Sequence, residues 1–167
     1  MSKYTAYLVG QISMNNETYE WRKRVRDYFN ELKFRGQLES NDIYIIDPTA
    51  SEFNKGYAQT GCDENHCDKE QKPYAGIDLL PAKDYRYVID ANIIIANLNH
   101  YTPERPIIGS YFELAWAYAN PGKMIIGIYD GDPEQDFHCR HPFVWKTIQT
   151  WVKTENEACD LIYAYMD

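Results

Sequence analysis

The sequence predicts a doubly wound α/β fold with a mostly parallel sheet of about five strands. Short apolar, β-prone runs alternate with helical patterns along the chain. One run, residues 93–97, is almost continuously apolar, which is typical of a central parallel strand covered on both faces. Because neighbouring parallel strands need a crossover connection, this alternation places helices on both faces of the sheet. The expected architecture is flavodoxin- or Rossmann-like.

The first part of the chain predicts two strands joined by one helix. Residues 4–9 form a short apolar run that stops at Gly10 and leads into a tight loop. Residues 17–34 have an apolar helical face, and Gly36 follows as a plausible stop. The apolar face consists of Trp21, Val25, Tyr28, Phe29 and Leu32. The basic residues Arg22, Lys23, Arg26 and Lys33 are assigned to a solvated opposite face. Residues 43–47 are the second strand, which Pro48 ends.

Residues 49–81 have no sustained period and are interpreted as a long surface excursion that forms part of a lid or a subunit contact. A short helix over 81–90 follows, with Asp84 in its opening turn. After the 93–97 strand, an apolar and aromatic helix carries Glu113 and ends at Asn120-Pro121-Gly122. Residues 124–129 are a fourth strand, and 148–152 are a candidate edge strand. The sequence Thr154-Glu155-Asn156-Glu157 is a capping box that opens a last helix.

Length and composition limit the class of protein. We assign all 167 residues to a single domain, residues 1–167, large enough to bury roughly 70% of its unfolded surface. The net charge of 17 − 25 = −8 disfavours a nucleic-acid-binding protein. The sequence contains neither a signal peptide nor an apolar run of ~20 residues, so we expect a soluble, cytoplasmic protein without a membrane partner. The four cysteines are too sparse for a disulfide scaffold, and reduced thiols are expected.

In doubly wound sheets, ligands bind beyond the carboxyl ends of the strands. This rule places residues 10–13, 47–49, 97–99 and 109–110 around one crevice. Glu113 lies about one turn into its helix, where the helix dipole favours an anion, and we expect it to be ionised near neutral pH. Asp84, at the edge of the same crevice, is a second carboxylate. Two carboxylates in different environments can divide the cleavage of a glycosidic bond between a nucleophile and a general acid.

Structural roles for the same carboxylates remain open. Asp84 could be a charge that stabilises the start of its helix. Glu113 could be paired with a lysine or an arginine.

Several motifs together resemble the nucleoside 2-deoxyribosyltransferase family. They are Tyr7-Leu8-Val9-Gly10 with Ile12-Ser13, Asp84 followed by the stretch 90–98, Gly109-Ser110-Tyr111-Phe112-Glu113-Leu114-Ala115, and Gly122-Lys123. The resemblance covers residues 4–130. It implies a retaining transfer of 2-deoxyribose between nucleobases, in nucleoside salvage, with no cofactor and no metal. Glu113 matches the nucleophile and Asp84 the general acid.

The resemblance also implies a substrate pocket and an assembly. The loop at 10–13 would line the pocket for the base and sugar, and relatives complete their pockets with residues of a neighbouring subunit, so we expect a homo-oligomer. The candidate substrate-binding residues are Tyr7, Gly10, Gln11, Ile12, Ser13, Asp47, Asn97, Asn99, Gly109 and Ser110.

One position departs from the family pattern. Relatives that use nucleosides have Asp six residues before the nucleophile, and relatives that cleave nucleotides have Ser, whereas this chain has Ile107. The 5′ end of the substrate must therefore be recognised by other residues. Two alternatives stay open: hydrolysis of 2′-deoxynucleoside 5′-monophosphates, and a non-catalytic nucleotide-binding module on the same frame.

Two clusters of soft metal ligands raise the question of zinc. Cys62, His66 and Cys67 form one cluster, and His138, Cys139 and His141 the other. Their spacing is not that of a standard zinc knuckle, so free thiols and solvated histidines are the simpler interpretation. His100, which follows the central strand, could touch substrate or lie on a surface loop.

Overall fold

A computed structural model describes residues 2–50 and 79–166 and contains five parallel strands and five α-helices in this part of the chain. The strands are β1 (Tyr4–Gly10), β2 (Ile43–Ile46), β3 (Ile93–Asn97), β4 (Met124–Ile128) and β5 (Thr150–Val152). The helices are α1 (Glu17–Phe34), α2 (Leu80–Asp90), α3 (Ile108–Tyr118), α4 (Pro142–Trp145) and α5 (Glu155–Met166). A short 3-10 helix covers Pro48–Ala50.

The sheet has the order β2-β1-β3-β4-β5, and all its neighbours are parallel. β1 and β3 pair from Ala6 opposite Ile93 to Gly10 opposite Asn97, so both strands end at the same edge. The chain moves from β1 outward to β2 and then crosses back past β1 to β3. This reversal creates a crevice at the carboxyl ends of β1 and β3. The doubly wound α/β prediction is confirmed.

Two apolar layers cover the sheet because successive strand side chains point to opposite faces. Ala6 and Leu8 pack with α1 and α5, whereas Tyr7 and Val9 pack with α2, α3 and α4. The side chains of β3 divide between the same two layers: Ile93 and Ile95 lie in the layer with α1, and Ile94 and Ala96 lie in the layer with α2. The predicted stripe on α1 is largely confirmed, with its three buried members Trp21, Val25 and Phe29 in the first layer.

Helix ends agree closely with the sequence pattern. Gly36 has a φ of 70°, and the N–H of Gln37 bonds the Leu32 carbonyl at 2.9 Å, which closes α1 with a left-handed residue. At the start of α5, the Glu157 N–H donates to Thr154 Oγ1 at 3.2 Å, as the capping box requires. None of the helices among residues 2–50 and 79–166 is long and apolar enough to cross a bilayer.

Three expectations need correction or restriction. Arg22 is not on a solvated face, because its side chain is fully buried. Asp84 is the fifth residue of α2, outside the opening turn, because the helix begins at Leu80. Most of the proposed 49–81 excursion, residues 51–78, lies outside the described residues, and so do Cys62, His66 and Cys67.

Candidate active site

A cavity of about 180 Å3, which we call the main cavity, opens at the carboxyl edge of β1. Asp84 reaches it from α2 and Glu113 from α3, so the structure brings the two predicted carboxylates together. A second, apolar cavity of about 290 Å3 shares both carboxylates and is walled by Phe112 and Trp116. A larger cavity of about 550 Å3 lies between α3 and α4, but no carboxylate lines it. Of the two cavities that contain both carboxylates, the main cavity is also lined by Arg22, Arg105 and Ser110, so it is the candidate active site.

Glu113 is buried, with 9% of its surface exposed, and its carboxylate accepts a hydrogen bond from Tyr7. The distance between Tyr7 Oη and Glu113 Oε1 is 2.5 Å. Burial, together with the negative charge of Asp84, raises the pKa of Glu113 to about 8, although the Tyr7 hydrogen bond and the Arg22 charge act in the opposite direction. The expectation of an ionised Glu113 near neutral pH is therefore wrong for the free protein. Desolvation outweighs the effect of a helix end that is more than one turn away.

Tyr7 is held in place by its position on a central strand. It is fully buried on the face covered by α2 and α3, and its ring packs on Tyr87 with centroids 5.8 Å apart. Burial raises the pKa of Tyr7 well above its ordinary value, and the Glu113 charge raises it further. Tyr7 therefore remains a hydrogen-bond donor at physiological pH.

The predicted substrate-binding residues divide into two groups. Those that line the main cavity are Gly10, Ile12, Gly109 and Ser110. Gly10 is required at the end of β1 because a Cβ there would lie 2.9 Å from the Asn97 carbonyl oxygen. Tyr7 reaches the site through Glu113.

The other group supports the surrounding loops and does not line the main cavity. The Gln11 amide donates to the carbonyls of Thr102 and Arg105 at 2.9 and 2.7 Å and accepts from the Thr102 N–H at 2.9 Å. Ser13 accepts a hydrogen bond from the Thr102 hydroxyl at 2.8 Å. Asn97 orients the N–H of Asn99, at 3.1 Å. Asn99 in turn accepts the N–H of Asp130, at 3.0 Å.

Asp47 belongs to this supporting group as well. One oxygen accepts bonds from the N–H and hydroxyl of Thr49, at 2.9 and 2.7 Å. The carboxylate also pairs with Arg26 at 3.2 Å and, more distantly, with Arg22 at 3.9 Å. Asp47 itself does not line the main cavity, whereas the next residue, Pro48, does.

The residues that line the main cavity include Arg22, Arg105 and Ile107, none of which was predicted from the sequence as a site residue. A signal for Arg22 was present, because it lies four residues after Thr18 and three before Val25, and both of those are buried on α1. Arg105 lies between two prolines, where no periodicity indicates the direction of a side chain. Ile107 is 4% exposed and packs in the core layer that contains Tyr7.

Within the described part of the chain, His138, Cys139 and His141 are not arranged as a metal site. Cys139 is 1% exposed in the core, and burial raises the pKa of its thiol. His138 stacks on His100 with ring centroids 5.0 Å apart. Among the described residues, no group of three or more His, Cys, Asp or Glu side chains is placed to hold a metal ion. His100 does not line the main cavity.

Comparison with protein-family models found no match for this chain, and comparison with curated proteins found none at a significant level.

Proposed function

We propose that this protein transfers 2-deoxyribose between nucleobases, with Glu113 as nucleophile and Asp84 as general acid and base. The observation that carries the proposal is the convergence of both carboxylates on one cavity, with a donor already bonded to Glu113. Breaking an N-glycosidic bond with retention needs this combination of a nucleophile, a proton donor and a group that orients the nucleophile.

The reaction has two balanced steps. A Glu113 oxygen forms a bond to C1′ as the bond from C1′ to the base nitrogen breaks, and Asp84 gives its proton to the departing base. A second base then attacks C1′ through a ring nitrogen, its proton passes to Asp84, and Glu113 leaves as a carboxylate. Water in place of the second base would give hydrolysis.

The electrostatics of the cavity govern how the two carboxyl groups share a proton. Two nearby carboxylates cannot both ionise easily, so the pair retains one proton over an extended pH range. The Tyr7 hydrogen bond and the Arg22 charge favour the ionised form of Glu113. In the free protein, burial and the charge of Asp84 outweigh these two effects, so the proposed attack requires the Glu113 proton to move to Asp84 first.

The direct test is incubation with a 2′-deoxynucleoside and a different free base, followed by chromatographic separation of the products. We expect exchange in the wild type and at least a 1000-fold loss, a factor on the order of that seen for single catalytic groups, in Glu113→Gln. Asp84→Asn should lose most activity with bases that need protonation to leave. The exposed residue Glu20 on α1 provides a matched control, Glu20→Gln.

Intact-mass analysis during turnover should show a 2-deoxyribosyl adduct that is absent in Glu113→Gln. Exchange that is equal in wild type and Glu113→Gln would reject the assignment. Tight nucleotide binding with no turnover would favour a binding module instead.

A second candidate substrate is the 2′-deoxynucleoside 5′-monophosphate, cleaved by hydrolysis. The observation that favours it is Arg105, a cationic residue that lines the main cavity together with Gly109 and Ser110 at the first turn of α3. A charge-assisted contact to phosphate contributes about 1.5–3 kcal/mol, or about 10- to 100-fold in kcat/KM. The monophosphate should then be preferred over the nucleoside by that factor, and Arg105→Met should remove the preference.

The proposal also covers the oligomeric state and the cellular location of the protein. The exposed apolar residues Ile108, Phe112 and Tyr118 on α3 suit a contact between subunits of a homo-oligomer, which light scattering would test. Cys139 and Cys159 are buried free thiols, which suits the reducing cytoplasm. Immunodetection of the protein in separated cell fractions would test that location.

A further inference from the structure

Arg22 is a fully buried cation that the proposed reaction steps do not use. It extends from α1 beneath the end of β1, where its guanidinium donates to the carbonyls of Gly10, at 2.8 Å, and Gln11, at 3.2 Å. A third bond goes to the carbonyl of Thr18, one turn earlier on α1. Its guanidinium carbon lies 4.6 Å from the centre of the Trp21 ring. These contacts fix the side chain in one place against the main cavity.

Folding alone gives little reason for a charge at this position. Burying an ion costs several kcal/mol unless a close partner compensates, and apolar residues of similar size often stabilise a core equally well. The nearest carboxylate, Asp47, is 3.9 Å from Arg22 and pairs more closely with Arg26, at 3.2 Å. The Arg22 Nε has no hydrogen-bond partner among the described residues. The charge is therefore only partly compensated by its surroundings.

This partly compensated charge and the candidate nucleophile Glu113 both line the main cavity. Around Glu113, the charged and titratable groups of the described chain are Tyr7 from β1, Arg22 from α1, Asp84 from α2 and Arg105 from the loop before α3. Asp84 opposes ionisation of Glu113, whereas Arg22 and the Tyr7 hydrogen bond favour it. Of the two arginines, Arg22 is the one that is fully buried and fixed by three carbonyls.

We propose that Arg22 is a positioning residue of this site: its guanidinium fixes the turn at Gly10 and Gln11, and it places a permanent positive charge at the cavity that Glu113 also lines. The effect of the Arg22 charge on the ionisation of Glu113 can be measured in the protein without substrate. Its consequence for catalysis rests on the proposed function.

The test compares Arg22→Met, Arg22→Lys and the control Arg26→Met. Arg26 lies on the same helix and pairs with the same Asp47, but it is partly exposed and does not line the cavity. The first readout is the pH titration of the Glu113 side-chain carboxyl by 13C NMR with selectively labelled glutamate and no substrate. We expect Arg22→Met to raise the midpoint by about one pH unit, the lower end of the effect of a nearby charge. Arg22→Lys should restore most of the wild-type midpoint, and Arg26→Met should leave it unchanged.

The second readout is the pH profile of base exchange. Arg22→Met should lose about tenfold in kcat at pH 7 and recover as the pH rises, because the ionised fraction of Glu113 falls about tenfold for each pH unit that its midpoint rises. If Arg22→Met does not fold, Arg22→Gln, which keeps a donor for the Gly10 carbonyl, replaces it as the neutral variant. An unchanged midpoint in the neutral variant, or an equal change in Arg26→Met, overturns the inference. If instead the proposed function is wrong, the wild type and every variant lack base exchange, but the titration midpoints of Glu113 can still be measured and compared.

Discussion

Replacing Glu113 by Gln should make the protein more stable, and the gain should depend on pH. The carboxyl group has a pKa near 4.5 in an unfolded chain and about 8 in the folded protein. Between these values the folded state holds a proton that the unfolded state has lost, so the free energy of unfolding decreases as the pH rises through this window. Glutamine has nearly the same shape, does not titrate, and can still accept the Tyr7 hydrogen bond through its amide oxygen.

The size of the effect follows from the difference between the two pKa values. At about 1.4 kcal/mol per pH unit, the difference corresponds to roughly 5 kcal/mol as an upper bound, reached above pH 8. Relaxation of the cavity and entry of water reduce this bound, and we expect about 1–3 kcal/mol at pH 8.5 and less than about 1 kcal/mol at pH 5. For a domain of this length, the gain at pH 8.5 amounts to roughly 2–12 °C in Tm.

The assay is urea unfolding at 25 °C, followed by the fluorescence of the four tryptophans, at pH 5, 7 and 8.5. The exposed control Glu20→Gln should differ from the wild type by a small amount that stays constant with pH. A stability gain for Glu113→Gln that is the same at every pH would refute the reasoning. A loss of stability at pH 8.5 would show that the ionised carboxylate is well solvated or paired in the folded state.

Three further changes test other parts of the structure. Tyr7→Phe keeps the packing but removes the donor to Glu113, so exchange at neutral pH should fall about 10- to 100-fold and recover at higher pH, as a pH–rate profile would show. Gly127→Ala should destabilise the protein by about 1–3 kcal/mol in urea unfolding, because the added Cβ would lie 2.8 Å from an indole ring of the edge strand. Gln11→Ala removes three hydrogen bonds to the loop that carries Arg105, so faster amide hydrogen exchange is expected in that loop, with β3 amides as the unchanged reference.

Much of the fold follows from patterns that are local in the sequence. The helix α1 begins and ends at the predicted residues, 17 and 34, because a 3.6-residue apolar period, acidic residues at its start and Gly36 after its end all act over a few positions. The strand β3 matches the predicted 93–97 for a similar reason, since a continuous apolar run suits a strand covered on both faces. The edge strand β5 is shorter than predicted, because pairing with β4 rather than its own composition sets its length.

The sequence by itself determined the fold class, the boundaries of α1 and β3, and the presence of two carboxylates near the carboxyl edge of the sheet, because hydrophobic periodicity and helix-ending residues are short-range properties. Only the tertiary structure decided that Arg22 is buried against the cavity and that Glu113 has a raised pKa. Both outcomes depend on desolvation and charge across long separations, as in the bond between Tyr7 and Glu113, whose partners are 106 positions apart. No local pattern carries that information, because the free energy of a buried charge is set by the groups that surround it in space.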